Sequence, residues 1–213
     1  MALVTVLVVV CGPAEARERP RPGGSPAGEY DYYVLSLSWS PVYCESHPRD
    51  VAQCGGKRFG FVLHGLWPQF ERGGYPSDCA SSIRLDEPAR EYGTTIYPSP
   101  RLVAHEWQKH GTCTGLAARE YFEAADRARD SIRIPDALQP GGRTLELTPA
   151  QLSSAIRDVN PGLTNRSVVI TCSGPELSEV RVCLGRDLAP MSCGRGVRDA
   201  CRSGASIRIS GTR

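Results

Sequence analysis

The sequence predicts an α+β fold: a central antiparallel sheet packed with helices and stapled by disulfides. Three observations predict it. Strand-like and helix-like segments are grouped rather than strictly alternating, which disfavours a parallel βαβ architecture. Nine of the 213 residues are cysteine, a density that reads as a disulfide framework behind a secretory leader. Gly and Pro are plentiful, at 22 and 17 residues, so many turns join the elements.

The elements follow in order. Residues 2–10 are a short apolar run, and Ala14-Glu-Ala16 is a small-x-small cleavage site; residues 1–16 are therefore expected to be a signal peptide. The run is too short to span a membrane. Residues 17–29 are rich in Pro, Arg and Gly and are expected to be a disordered lead-in. One domain of ordinary size is expected over residues 30–213. Residues 30–40, aromatic and β-branched, form the first expected strand. Residues 44–56 are expected to be a loop closed by a local bridge. Residues 58–66 form a second strand, in which Phe59, Phe61 and Leu63 alternate with Gly60, Val62 and His64. The Phe/Leu face should pack on the core, and His64 should face the other way.

Ser99-Pro100 provides an N-cap and a proline at the first helical position. That helix should run through Leu102, Val103, Glu106 and Lys109, with Gly111 as its stop. Residues 121–131 form a charged amphipathic helix. Thr148-Pro-Ala-Gln151 is a capping box that opens a helix to about Val159, stopped by Asn160-Pro-Gly. Residues 167–172 and 179–184 read as a hairpin, and 206–210 as a last short strand.

Composition narrows the function. The formal charge is +2, and loss of the first sixteen residues removes one glutamate and leaves +3. This permits an anionic partner without implying tight binding to duplexes. Cleavage also removes Cys11 and leaves eight cysteines, an even count that fits an oxidising compartment, secreted or periplasmic. No pair has C-x-x-C spacing, so a structural metal site is disfavoured.

The chemistry concentrates in two segments, Phe61-Val-Leu-His-Gly-Leu-Trp-Pro68 and His105-Glu-Trp-Gln-Lys-His-Gly-Thr-Cys113. Three of the four histidines and one of the two lysines lie there. On a helix, Glu106 and His110 are four apart and share a face, with Lys109 beside Glu106. His105 lies roughly 140° away from His110 and flanks the site from one side. A zinc protease needs His-Glu-x-x-His, and here the second histidine comes one residue later. No Asp/Glu cluster points to a two-metal nuclease, and no cofactor is indicated. Two histidines, a carboxylate and a lysine suit cleavage of RNA through its own 2′-hydroxyl. A base takes the 2′-OH proton, an acid protonates the 5′-oxygen, and cations steady the phosphorane-like charge. DNA lacks the 2′-OH and is expected to be inert. Trp67 and Tyr75 are candidates for stacking a base. Trp107 is expected in the core, and His47 is assigned no role.

The two segments closely resemble the signatures of the T2 family of secreted acid ribonucleases. The resemblance implies a T2-like fold and a metal-independent endoribonuclease. Such an enzyme cleaves single-stranded RNA through 2′,3′-cyclic phosphates to 3′-phosphate ends. Carried over by position, His110 resembles the family's general base and His64 its general acid. Glu106 and Lys109 match groups that assist the transition state, and His105 matches a phosphate-binding histidine. Gln69 falls where some members place an acidic residue at the base site, which leaves base preference open. The implied bridges are Cys44–Cys54, Cys79–Cys113, Cys172–Cys201 and Cys183–Cys193. The expected partner is single-stranded RNA, bound by a monomer with no membrane association. Two other readings are an RNA-binding or inhibitory module without turnover, and a metallohydrolase.

Overall fold

The computed structural model describes residues 26–80, 84–202 and 204–212. The expected signal peptide and most of the lead-in lie outside the described residues. Gly28, near the end of that lead-in, is tied down: its N–H donates to the Cys113 carbonyl at 2.9 Å.

Among the described residues, six strands make one sheet: β1 (Tyr32–Trp39), β2 (Phe61–Gln69), β3 (Leu145–Leu147), β4 (Val168–Ser173), β5 (Glu176–Leu184) and β6 (Ile207–Ile209). Their order is β2-β1-β5-β6-β3, with β4 also paired to β5. The expected antiparallel pattern holds except between β5 and β6, which meet in parallel at Glu176 and Arg208. Residues 185–206 supply the long crossover that a parallel pair needs.

The two faces of β1 divide the molecule. On one face Leu35 and Leu37 lie between Leu66 and Leu63 of β2 and Val182 and Val180 of β5. This face joins the main core. On the other face Val34, Ser36 and Ser38 lie between Trp67, Gly65 and Val62 on one side and Cys183, Arg181 and Glu179 on the other. The register breaks between Ser36 and Leu37: Gly65 faces Ser36, Leu63 faces Leu37, and His64 is the extra residue of a β-bulge. Phe59, expected on the core face, precedes β2; instead the Lys57 ammonium lies 5.6 Å over its ring.

Helices pack against the sheet and against one another. They are α1 (Ser40–Ser46), α2 (Val51–Cys54), α3 (Glu87–Ile96), α4 (Pro100–Lys109), α5 (Ala118–Asp130) and α6 (Pro149–Asp158). Val103 and Trp107 of α4, Tyr121 and Phe122 of α5, and Leu152 and Ile156 of α6 are buried in the core. The loop expected at 44–56 contains the end of α1 and all of α2. There the Asp50 carboxylate accepts the Gln53 N–H at 3.3 Å. Helix α3, which the sequence reading missed, opens on Asp86, whose carboxylate accepts the Ala89 N–H at 2.8 Å. Helix α5 begins three residues earlier than expected, because Glu120 reaches back to the Ala117 N–H at 3.0 Å. The capping box of α6 is present: the Gln151 N–H donates to Thr148 Oγ1 at 3.2 Å, and the Thr148 N–H to Gln151 Oε1 at 2.8 Å.

Four disulfides staple the fold among the described residues, Cys44–Cys54, Cys79–Cys113, Cys172–Cys201 and Cys183–Cys193. They are the pairs that the family resemblance implies. Cys79–Cys113 fastens the segment after β2 to the short 3₁₀ turn Gly111–Cys113 that follows α4.

Candidate active site

Strand β2 carries the first motif and α4 the second. Ser99 opens α4 by accepting the Leu102 N–H at 3.3 Å, with Pro100 in the first turn. His110 closes it as the C-cap, its N–H donating to the Glu106 carbonyl at 3.0 Å. Gly111 does not stop the helix through a left-handed turn, since the chain continues into the 3₁₀ turn. Its role is close packing: a Cβ there would lie 2.4 Å from the Trp107 ring.

Glu106 is 1% exposed. Its Oε2 accepts the Trp67 indole N–H at 2.8 Å, while Oε1 has no partner among the described residues. Burial pushes its carboxyl up to about 7, against the pull of His64, the Trp67 N–H and Lys109. His110 is buried, with its ring centroid 5.4 Å from Trp67 and 6.0 Å from Tyr75. Its Nδ1 has no partner among the described residues. Burial first, then the charges of Lys109, His105 and His64, push it down to about 3. The Lys109 ammonium lies 6.0 Å from the Tyr75 ring centroid. His105 is exposed and is lowered by desolvation and by Lys109 and His64, with Asp78 opposing.

His64 stands edge-on to Trp67, with centroids 5.1 Å apart and the rings at 82°. Its Nδ1 lies 2.5 Å from Glu179 Oε1. Desolvation alone would lower its pKa. The Glu179 hydrogen bond and charge, with help from Glu106, outweigh desolvation and Arg181, so it is raised. The same pair holds Glu179 down at about 2: desolvation would raise it, but His64 and Arg181 prevail.

Trp67 thus touches His64, His110 and Glu106, and the Arg181 guanidinium lies 5.1 Å over its ring. A cavity of about 460 Å³ opens here, lined by His64, Trp67, Gln69, Tyr75, Lys109 and His110 among others. The structure therefore gathers every sequence-predicted catalytic and substrate-binding residue, His105 and Glu106 included, around one cavity. On the far side of His64 and His105 lies a second cavity of about 710 Å³, reached by Ser38, Leu102 and Glu179. His47, assigned no role, lines it while stacked on Tyr43 at 4.2 Å.

Sequence reasoning missed Glu179 and Arg181. The signal that could have found them was the alternation in β5. There two opposite charges, two residues apart, share the face turned away from the apolar Val180 and Val182.

Residues 30–193 match the model of the ribonuclease T2 family. The chain belongs to the ribonuclease T2 family. A ribonuclease of Aeromonas hydrophila is 45% identical over 123 residues, covering 58% of this chain and 56% of that protein. A probable ribonuclease of Haemophilus influenzae is 29% identical over 178 residues, covering 76% of this chain and 61% of that protein. The chain therefore spans somewhat under two thirds of these T2 relatives. Among solved structures, an RNase-related protein from Calystegia sepium superposes with a TM-score of 0.68 at 22% identity, covering 84% of this chain and 96% of that chain. A single-residue mutant of RNase MC1 in complex with 5′-UMP gives 0.65 at 24% identity, covering 84% and 98%. Both likenesses show the T2 fold. Among the described residues, no group of three or more His, Cys, Asp or Glu could hold a metal ion, and no helix is long and apolar enough to cross a membrane.

Proposed function

We propose that this chain is an endoribonuclease that cleaves single-stranded RNA by metal-independent transphosphorylation. The observation that carries the reading is the opposite treatment of two histidines that flank Trp67 in one cavity. His110 is buried among rings and neutral, as a general base must be. His64 is paired with a carboxylate and held protonated, as a general acid must be. Environments that push two titratable groups apart assign the acid and the base.

In the first step His110 takes the 2′-OH proton, and O2′ attacks phosphorus. The bond to O5′ breaks, and O5′ leaves with a proton from His64. The products are a 2′,3′-cyclic phosphate and a 5′-hydroxyl. Water then opens the ring with the roles of the histidines exchanged, giving a 3′-phosphate. Lys109 brings positive charge to the phosphate oxygens, and His105 offers them a ring N–H. Glu106 accepts the Trp67 N–H on Oε2, so its unpartnered Oε1 holds the proton in mildly acid solution and donates to a phosphate oxygen. Trp67 and Tyr75 flank a base in the first cavity, with Gln69 reading its edge. The relatives named as ribonucleases support this activity. The 5′-UMP held by the RNase MC1 mutant supports a nucleotide-sized site. Four disulfides fit an oxidising compartment, so the protein acts outside the cytoplasm, secreted or periplasmic. The site is built by one chain and needs no second copy.

The test is incubation with a single-stranded RNA oligonucleotide in excess chelator, beside the matching DNA, with products read by mass. The expected products are fragments ending in 2′,3′-cyclic phosphate, from RNA alone. RNA left intact from pH 4 to 8 overturns the reading in favour of a binding module, and activity abolished by chelator overturns it in favour of a metallohydrolase.

A further inference from the structure

Strands β2 and β5 do not pair; β1 separates them. Two strand spacings make the gap roughly 10 Å. On the site face β1 presents Ser36 and Ser38, which are too short to fill it. Across this dip His64 reaches from β2 and Glu179 from β5, and they meet at 2.5 Å. The bulge aims His64 there. Glu179 sits opposite Ser38, and its side chain is 8% exposed. Its second oxygen is also committed: Oε2 accepts the Arg181 Nε–H at 2.8 Å and lies 2.6 Å from Nη2. The Arg181 guanidinium is itself laid over Trp67.

A carboxylate placed this way is not explained by stability. A buried ion pair contributes little beyond what apolar packing would, because desolvation offsets the attraction. It does impose a geometry. With Oε2 clamped, Oε1 is left as the acceptor for Nδ1–H, which fixes both the ring plane and the tautomer of a histidine.

We propose that Glu179 is the positioning residue of His64, clamped in turn by Arg181, and that it holds the ring with Nδ1–H on the carboxylate and Nε2 toward the scissile phosphate. This rests on the reading of His64 as the general acid. Glu179 touches no substrate in this arrangement and acts through His64. Groups facing His64 are Glu179 and Arg181 from β5 and Glu106, His105 and His110 at α4. Of the two carboxylates, only Glu179 is hydrogen-bonded to the ring.

The experiment compares the wild type, Glu179→Gln, Glu179→Asp and His64→Ala in the full disulfide-bonded protein. Steady-state cleavage of an RNA dinucleotide is followed against pH, and the His64 ring nitrogens by ¹⁵N NMR. Glu179→Gln is expected to lower kcat by about 10- to 100-fold, short of the ~10²–10⁴-fold that a general acid contributes, with little change in KM. Its alkaline limb and the His64 titration should both move to lower pH, and Glu179→Asp should restore part of each. An alkaline limb and a His64 titration that stay in place overturn the proposal. Should Glu179→Gln fail to fold, the wild type decides alone: neutral His64 is expected as the Nδ1–H tautomer, and the Nε2–H tautomer overturns the proposal. His64→Ala separates the two levels of the argument. An active His64→Ala protein removes the general acid itself, whereas an inactive one with an unmoved Glu179→Gln profile removes only the role of Glu179.

Discussion

Gly65 is the residue whose replacement tests the site most severely with the least chemistry. Its backbone is extended and its φ is not left-handed, so any residue could adopt the conformation. What it lacks is room. A Cβ there would lie 2.0 Å from Glu106 Oε2 and 2.2 Å from Trp67 Nε1. Ordinary contact begins near 3.4 Å, so in Gly65→Ala the carboxylate and the indole nitrogen must withdraw by about 1.4 and 1.2 Å. Neither can do so freely, since Glu106 is buried on α4 and Trp67 is wedged between His64, His110 and Arg181. The hydrogen bond joining them is lost. With Glu106 protonated in mildly acid solution, the bond is an ordinary one worth ~0.5–1.5 kcal/mol, which for a chain of this size lowers the melting temperature by roughly 1–6 °C. A displacement of ~1 Å in a catalytic group costs on the order of 10²-fold in rate. Cleavage of a dinucleotide by Gly65→Ala should therefore fall about 10²-fold in kcat/KM. Gly142→Ala is the control, because a Cβ there meets nothing within 4 Å. If Gly65→Ala stays within about threefold of the wild type, Glu106 and Trp67 are not the rigid pair described here, and the reasoning fails.

Two further outcomes follow. The pH profile of kcat/KM should be bell-shaped. Activity is lost on the acid side as His110 gains a proton, a step that burial moves below the ordinary imidazole range toward about 3. It is lost on the alkaline side as His64 gives up its proton, a step that Glu179 moves above 6.5. A rate that rises steadily into alkali contradicts both assignments. Removing Cys79–Cys113, which closes 34 residues, should cost about 3.8 kcal/mol by loop entropy, and denaturant unfolding of Cys79→Ser/Cys113→Ser measures it. An unchanged midpoint refutes that expectation.

Five of the six described strands and the second motif were legible because their signals are local; β3 (Leu145–Leu147), only three residues long, was missed. The strand residues of β1, the Ser99-Pro100 start of α4 and the Thr148–Gln151 capping box each depend on neighbours within a few positions. Helix α2 was hidden because it is one turn long inside a disulfide loop. Helix α3 carries Gly93, Thr94 and Thr95, poor helix formers, and is held by packing rather than propensity. The pairing of His64 with Glu179 could not be read from spacing, since it joins residues 115 apart and depends on β5 lying next to β1. The second cavity was invisible for the same reason: its lining comes from α1, α2, α4 and β5 together.

The bulge at His64 explains why four features of β2 occur together. Leu63 and Leu66 are both almost fully buried on one face, yet they are three residues apart, which strict alternation forbids. One extra residue in the strand resolves the conflict. It sends Leu66 back to the core and turns Gly65 and Trp67 to the site face. The face at Gly65 is where the Glu106 carboxylate must pass to reach Trp67, so the position has to be glycine. The extra residue itself is freed from the ladder and can lean across Ser36 and Ser38, so it is the one that meets Glu179. The three-residue leucine spacing around His64-Gly65 is thus the sequence trace of the whole arrangement. A chain with the bulge deleted would keep every proposed catalytic side chain except His64 and still put Gly65 in register. What it would lose is the proposed acid, and with it the separation between a neutral buried base and a protonated, carboxylate-held acid on which the proposed reaction depends.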